Sequence, residues 1–302
     1  MILKPRESSI KNFYSFRILT FLIIFYLFPT LVLSPLLFSL VPGSELDDYI
    51  TRTWTTENGL NQNTITSLVQ TRNGYIWIGT PTGLVRFDGV QFTLFSRANT
   101  PSLANDRITA LYEDESENLW IGTDGGGLYS LTQSQSAANY QWKLCSTREG
   151  LSNNTIRAIT SDWQGNVWAG TDYGLNRISR EGIRIYTTGD GLYDNIITAL
   201  ALDIRGDLWV GTLQGGLARI QDYAVFNYGP ESGLLNPSVL SLETDPYGGI
   251  WVGTIEGLYF LGRDQQVLQY IPGTSYTPIT SVLRDSHGDI WIGTMADGVM
   301  RR

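Results

Sequence analysis

The chain has 302 residues, of which 29 are acidic and 21 basic, giving a formal net charge of −8 at pH 7. This acidic balance argues against nucleic acid and against anionic membrane surfaces as partners of the greater part of the chain. A single cysteine, Cys145, excludes an internal disulfide framework. A single histidine, His287, gives no support to a histidine-based metal site or a Ser-His triad, so we expect no metal and no cofactor.

The N-terminal segment differs in composition from the rest. Residues 1–17 form a basic leader, and residues 18–41 form a 24-residue stretch that is mostly apolar. A basic flank before an apolar stretch is typical of an export signal, and this one is long enough to cross a bilayer. We predict a signal anchor helix over 18–41, with a cleaved signal peptide as the alternative, and a linker over 42–48. The leader would stay in the cytoplasm, attached to the inner membrane by a single pass, and the rest would lie in the periplasm. With a cleaved signal the protein would instead be secreted to the periplasm.

Residues 49–302 carry an internal repeat. The tetrapeptide Trp-X-Gly-Thr returns six times, at intervals of 40 to 48 residues. Its tryptophans are Trp77, Trp120, Trp168, Trp209, Trp251 and Trp291. A period of this length indicates stacked supersecondary units. Short β-branched and aromatic runs between Asp/Asn/Gly turns predict about four antiparallel strands per repeat. We therefore predict an all-β fold, a β-propeller of six four-stranded blades or part of a larger array, preceded by one N-terminal hydrophobic helix.

The recurrent residues are interpreted as scaffold. Each tryptophan supplies a large ring that can fill the space between neighbouring sheets. The glycine two residues later leaves the backbone bare, so that the next blade can approach closely. An aspartate six residues before the tryptophan, such as Asp162 before Trp168, is expected to accept backbone N–H groups in a turn. These residues therefore predict a fold and no site.

The two ends of the repeat array complement each other. Residues 49–60 align without gaps with residues 140–151, which hold a fourth strand and the loop into the next repeat. The last repeat runs through three predicted strands, ending with 298–302. We predict that residues 49–56 pair beside residues 298–302 and close a six-bladed ring, which would remove both exposed sheet edges. The alternative is that the chain is the front part of a longer protein.

The motifs also resemble those of a known family. Trp54-Thr-Thr-Glu-Asn-Gly-Leu60, Gly74-Tyr-Ile-Trp-Ile-Gly-Thr80 and Gly83-Leu-Val-Arg-Phe-Asp-Gly89 are similar to the start of two-component-regulator propellers. This family comprises the extracytoplasmic sensor regions of bacterial hybrid histidine kinases and membrane-bound diguanylate cyclases. The resemblance extends over about residues 49–302. It implies a sensor propeller whose output domain, a histidine kinase or a diguanylate cyclase, is missing here, and therefore a truncated or partial receptor without enzymatic activity.

A ligand site is expected on one face of the propeller. The loops that lead from a fourth strand into the next blade share a face with the loops between strands two and three, and both sets are rich in short polar side chains. Amides and carboxylates arranged in a ring could hydrogen-bond a neutral polyol or sugar, although Asn and Asp also serve simply as turn formers. The candidate ligand-binding residues are Asn63, Asp106, Asp124, Asn154, Tyr173, Asn195, Gln214, Glu256 and Asp297.

Two classes of function remain open at this point. The first is a periplasmic sensor of a signal-transduction receptor, which binds a small polar or carbohydrate ligand and has neighbouring receptor subunits, as a homodimer, for partners. The second is a propeller-type hydrolase or lyase acting on extracellular polysaccharide. A stand-alone interaction scaffold is a third reading. The composition excludes nucleic acid as a partner in each case.

Overall fold

The structure is a computed structural model that describes residues 52–133, 140–263, 267–274 and 277–302. The predicted leader (1–17), anchor helix (18–41) and linker (42–48) lie outside the described residues. Within the described part, no helix is both long and apolar enough to span a membrane. The described residues form six antiparallel sheets of consecutive strands, which are called blades 1 to 6 in chain order.

Each blade is a meander in which every strand pairs with the next one along the chain. Blade 1 contains β1 (Ser67–Gln70), β2 (Ile76–Thr80), β3 (Gly83–Phe87) and β4 (Phe92–Phe95). Blade 2 contains β5 (Ile108–Glu113), β6 (Leu119–Thr123), β7 (Leu128–Gln133) and β8 (Tyr140–Cys145). Blade 3 contains β9 (Ile156–Ser161), β10 (Val167–Thr171), β11 (Gly174–Ser179) and β12 (Gly182–Tyr186). Blade 4 contains β13 (Ile197–Leu202), β14 (Leu208–Thr212), β15 (Leu217–Gln221) and β16 (Ala224–Tyr228). Blade 5 contains β17 (Val239–Thr244), β18 (Ile250–Thr254), β19 (Gly257–Leu261) and β20 (Gln269–Tyr270), and blade 6 contains β21 (Ile279–Arg284), β22 (Ile290–Thr294) and β23 (Val299–Arg301).

The first strands of the blades lie side by side at the centre. β1 contacts β5, which contacts β9, and the series continues through β13 and β17 to β21. The predicted six-bladed, all-β propeller is therefore confirmed, with the Trp-X-Gly-Thr motif on the second strand of every blade.

Blade 6 has three strands among the described residues. The N–H and C=O groups of Ile290 and Arg302 exchange hydrogen bonds of 2.8 and 2.9 Å, which extends the β22–β23 pairing by one residue pair. Residues 49–51 of the predicted closing strand lie outside the described residues. Residues 52–55 are not in a strand, and Thr56 begins the 3-10 turn Thr56–Asn58. Closure through residues 49–56 therefore stays a prediction.

The core lies between the blades, as the motif predicts. One cluster joins Trp168 and Leu175 of blade 3 to Val210 and Ile220 of blade 4, and clusters of the same kind join the other consecutive blades. The indole of Trp168 is only 4% exposed. Burying an aliphatic or aromatic side chain of this size contributes about 1.5–3 kcal/mol, so blade packing is the main source of stability.

In four blades the aspartate six residues before the motif tryptophan has two functions. Asp162 Oδ1 accepts the backbone N–H groups of Gln164 and Asn166, at 3.1 and 2.9 Å, and so holds the turn between β9 and β10. Its Oδ2 accepts the indole N–H of Trp168 at 2.9 Å. The turn function was predicted, whereas the bond to the indole was not. The same indole bond recurs in three other blades, from Trp120 to Asp114, Trp209 to Asp203 and Trp291 to Asp285.

The glycine of the motif marks the closest approach of two blades. A Cβ atom at Gly170 would lie 2.6 Å from Cγ2 of Ile197, the first residue of β13 in the next blade. The equivalent distance is 2.8 Å from Gly122 to Ile156 Cγ2. Real Cβ atoms do not come this close to a neighbour, so a bare backbone is required at these positions.

Candidate functional site: the central mouth

A cavity of about 440 Å³ opens among the starts of the first strands. This end of the propeller also carries the loops between strands two and three and the loops from strand four into the next blade; it is called the loop face. The cavity is called the central mouth. Its lining residues come from blades 1 to 5 and are Thr66, Arg107, Thr109, Asp124, Thr155, Arg157, Thr198 and Leu240.

Which residues line the cavity follows from the register of the first strands, which are the inner strands of the blades. From blade 2 onward, each first strand begins at an apolar residue that is buried against the preceding blade, such as Ile108 in β5 or Ile156 in β9. Alternation along a strand turns the residues on either side of it away from that contact. These flanking positions supply Arg107 and Thr109 in blade 2. The same positions supply Thr155 and Arg157 in blade 3.

The threonines of the mouth tie neighbouring blades together. Thr66 Oγ1 donates to the carbonyl oxygen of Ile108 at 2.6 Å, and Thr109 Oγ1 donates to that of Ile156. Thr198 Oγ1 makes the same bond to Val239 at 2.6 Å. Because the hydroxyl hydrogens of these three threonines are already bonded to backbone carbonyl oxygens, the hydroxyls can only accept hydrogen bonds from a ligand.

Two ion pairs lie at the charged part of the mouth. Arg107 Nε lies 3.4 Å from Asp124 Oδ2, and Arg157 Nε pairs with Asp172 Oδ1. The Thr155 hydroxyl also reaches Asp124 Oδ1, at 3.4 Å. The four charged side chains are between 34 and 62% exposed. Exposed pairs of this kind contribute about 0–1 kcal/mol, so an incoming ligand can replace either partner at little cost.

Four of the predicted ligand-binding residues hold their own loops. The side-chain oxygens of Asn63, Asn154 and Asn195 each accept the backbone N–H seven residues earlier, at 2.8 to 2.9 Å. Asp106 accepts the backbone N–H of Arg97 at 2.7 Å and its guanidinium Nε–H at 3.1 Å. These residues thus have a loop-stabilising function, and none of them lines the central mouth.

The other five predicted residues follow the Trp-X-Gly-Thr motifs of several blades. Asp124 lines the central mouth. Tyr173, Gln214 and Glu256 are exposed residues of the loop face. Asp297 Oδ2 accepts the hydroxyl of Thr277 at 2.9 Å. The predicted face is therefore the one with the cavity, but of the nine candidates only Asp124 contributes to it.

Sequence reasoning missed the two arginines of the mouth. Aligned on the first apolar residue of each inner strand, the position of Arg157 is threonine in blades 1, 2, 4 and 6, and leucine in blade 5. Arg107 takes a position that is Thr, Ile, Ser or Pro in the other blades. Side chains that depart from the repeat at a position facing the central axis were the available signal. In the described ranges no group of three or more His, Cys, Asp or Glu side chains could hold a metal ion.

Solved structures show the same fold. The chain is similar to the extracellular domain of BT3049 from B. thetaiotaomicron, a protein named as a hybrid two-component system, with 22% identity and a TM-score of 0.71 over 83% of this chain and 35% of that one. It is also similar to the extracellular domain of BT4673 from the same organism, with 24% identity and a TM-score of 0.65 over 80% of this chain and 34% of that one. The chain thus spans about a third of the length of these structures.

A third solved structure of similar fold is an enzyme. It is the catalytically inactive histidine-to-alanine variant of virginiamycin B lyase from Staphylococcus aureus with quinupristin, at 15% identity and a TM-score of 0.59 over 80% of this chain and 84% of that one. Likenesses at these identities establish the fold alone. No curated protein matches the sequence.

A comparison with protein-family models identifies repeats of a known family in the sequence. The model described as "Two component regulator propeller" matches residues 59–82, 102–125, 233–256 and 273–296. Each match ends just after a Trp-X-Gly-Thr motif, in blades 1, 2, 5 and 6. These matches confirm the resemblance of the motifs to that family.

Proposed function

We propose that the propeller is the extracytoplasmic sensor domain of a bacterial signal-transduction receptor and binds a small polar or carbohydrate ligand at the central mouth. The observation that carries this proposal is the mouth itself, a cavity of about 440 Å³ whose lining includes both arginines of two exchangeable Arg–Asp pairs. A volume of this size suits a small molecule. The family repeats and the extracellular domains of similar fold support a sensor.

The proposed receptor extends beyond the propeller. Residues 18–41 anchor it in the inner membrane, the propeller lies in the periplasm, and signalling passes through a homodimer to a histidine kinase or diguanylate cyclase domain of a longer protein. Alkaline phosphatase fused after residue 302 should be active in cells and remain with the membrane fraction. A soluble fusion that begins near Ser44 would indicate a cleaved signal, and an inactive fusion would refute the periplasmic location.

In this proposal the propeller catalyses nothing. The competing function is that of a hydrolase or lyase, and the fold shared with virginiamycin B lyase is its specific support. The comparison also names a histidine-to-alanine variant of that lyase as catalytically inactive. The one histidine of this chain, His287, lies in the turn between β21 and β22, at the opposite end of the strands from the central mouth. Its backbone N–H donates to Asp285 Oδ1 at 2.9 Å. Its position favours the sensor.

A ligand screen by thermal shift on the purified full chain tests the proposal, with oligosaccharides and small polar metabolites as probes. A probe that raises the melting temperature of the wild type should lose its effect in Arg107→Thr and Arg157→Thr. It should keep its effect in Arg180→Thr, an exposed arginine between β11 and β12 at the opposite end of the strands. Turnover of the same probes by the wild type would refute the non-catalytic sensor, and equal effects in all three variants would refute the mouth as the site.

A further inference from the structure

The loop face has two chemically different halves. The position directly after the motif threonine is Asp124 in blade 2 and Asp172 in blade 3, each paired with an arginine. In blades 4, 5 and 6 the same position is Leu213, Ile255 and Met295. Blades 2 and 3 therefore form a charged half of the loop face, and blades 4 to 6 form an apolar half.

The backbone shows that these positions are equivalent. In blade 2 the N–H of Asp124 donates to the carbonyl of Arg107, the residue before the inner strand, at 3.0 Å. In blade 4 the N–H of Leu213 donates to the carbonyl of Ile196, also at 3.0 Å. The ion pair of one blade is thus replaced by two aliphatic residues in another, on the same backbone frame.

Blades 5 and 6 continue the apolar half with the same bond. The N–H of Ile255 donates to Ser238 at 3.2 Å, and the N–H of Met295 donates to Pro278 at 3.1 Å. Ile255 is 40% exposed and Met295 is 71% exposed. Leu240 extends the apolar character into the cavity lining from blade 5.

Large apolar side chains at solvent-exposed positions on one face of a protein are typical of a binding surface. Two neighbouring loops add further ones, since Leu235 is 74% exposed and Tyr193 is 63% exposed. A purely polar ligand would leave this half of the loop face unused. The ligand that covers both halves has an apolar body attached to its polar group.

The charged half determines what that polar group is. The hydroxyls of Thr66 and Thr109 donate to carbonyl oxygens of the next blade, and that of Thr155 donates to Asp124. The two guanidinium and two carboxylate groups are partly exposed and lie in Arg–Asp pairs. A ligand with a single charge would gain one partner and be repelled by the other. A ligand with both charges matches a guanidinium and a carboxylate at once through charge-assisted hydrogen bonds, and it leaves the site neutral.

We propose that the ligand of the central mouth is a zwitterion with apolar side chains, of the class of short apolar peptides or apolar amino acids. Its carboxylate binds Arg107 or Arg157, its ammonium binds Asp124 or Asp172, and its side chains lie toward Leu213, Ile255 and Met295. This inference rests on the proposed sensor function and specifies the ligand class of the same site. The cavity of about 440 Å³ is within the range that accommodates such molecules.

Isothermal titration of the purified full chain with four probes tests the class. Leucyl-leucine carries both charges and apolar side chains, glycylglycine carries the charges alone, N-acetyl-leucine amide carries the apolar side chain alone, and phenyl β-glucoside is a neutral amphiphile. We expect leucyl-leucine to bind at least about tenfold more tightly than each of the others, because only it uses both halves.

Two variants that copy other blades locate the contacts, and a third serves as the control. Arg157→Thr should weaken leucyl-leucine about tenfold, because threonine at this register cannot pair with a carboxylate as the guanidinium does. Ile255→Asp should weaken leucyl-leucine and leave glycylglycine unchanged. The control Arg180→Thr should change neither affinity.

The outcomes that overturn this inference differ from those that overturn the sensor function. Absence of leucyl-leucine binding, equal binding of N-acetyl-leucine amide, or tightest binding of phenyl β-glucoside would each refute the zwitterionic class. In the last case a small ligand still binds at the mouth and the sensor function stands. Failure of these probes together with every oligosaccharide and metabolite of the thermal-shift screen would refute both.

Discussion

Replacing a motif glycine by alanine should push two neighbouring blades apart, because the glycine has no side chain and so allows their close contact. At Gly211 in blade 4 the new Cβ would lie 2.6 Å from Val239 Cγ1 and 3.1 Å from Val239 Cβ, on the first residue of β17 in blade 5. Ala199 Cβ would lie at 3.2 Å. Carbon atoms in contact are about 3.5–4.0 Å apart, so one blade has to shift by roughly 1 Å.

The expected cost follows from two opposing effects. Overpacking a tight interior costs about 1–3 kcal/mol. Alanine in place of glycine restricts the unfolded chain and returns about 0.5–1 kcal/mol. Gly211→Ala should therefore lower the free energy of unfolding by about 1–2 kcal/mol. For a domain of this size each kcal/mol corresponds to a shift of about 2–4 °C in melting temperature.

Thermal and urea unfolding of a double-mutant cycle measures the effect. Gly189→Ala is the matched control, since Gly189 has an exposed backbone with its nearest neighbour, Thr187 Oγ1, at 3.4 Å. Val239→Ala alone leaves a cavity and costs about 2 kcal/mol. The double variant Gly211→Ala/Val239→Ala should be at least about 1 kcal/mol more stable than the sum of the single losses, because the smaller side chain makes room. Strict additivity, or equal melting of Gly211→Ala and Gly189→Ala, would refute the close approach.

Three further predictions concern other parts of the ring. Asn154→Ala should cost about 1 kcal/mol and speed hydrogen exchange at the Thr147 amide, which loses its 2.8 Å bond to Asn154 Oδ1; unchanged exchange at Thr147 would contradict this. Burial raises the pKa of Glu243 above its ordinary value, although the hydrogen bond from the Arg284 N–H opposes this shift. Between the pKa of the unfolded state and that of the folded state, the folded protein binds an extra proton, so it loses stability as pH rises through that interval. Glu243→Gln should accordingly match the wild type below the interval and be more stable above it, and urea unfolding at several pH values that shows parallel curves would disprove the assignment. Burial also raises the pKa of the Cys145 thiol, so iodoacetamide should modify it more slowly than a free thiol at pH 8 and at the ordinary rate in urea; equal rates in the two conditions would rule this out.

The fold could be predicted from the sequence because the same residue pattern recurs in every repeat. The tryptophan and glycine of each motif are required by the same contact between blades, so six copies point to one architecture. The site could not be predicted in the same way. Asn63, Asn154 and Asn195 recur because each loop needs an acceptor for a backbone N–H, and this recurrence made them resemble a binding ring.

Arg107 and Arg157 escaped notice for the opposite reason. Each occurs once at its register position, and a single departure from a repeat carries no meaning until the structure shows that the position faces the central axis. The ion pairs with Asp124 and Asp172 also depend on which loop lies beside which inner strand. Repeated residues in this sequence therefore indicate the scaffold, whereas the charged residues of the central mouth lie where the blades differ.

The contact between a motif glycine and the first residue of the next inner strand joins unlike surfaces. Each blade presents a glycine hollow on one side, as at Gly170, and a branched aliphatic side chain on the other, as at Ile156. Association of this head-to-tail kind is heterologous, so one kind of contact joins each blade to the next. The interface is fixed while the residues at the central axis are free to change from one copy to the next. A gene of such repeats can therefore acquire a new specificity by exchanging or duplicating blades without a new packing solution.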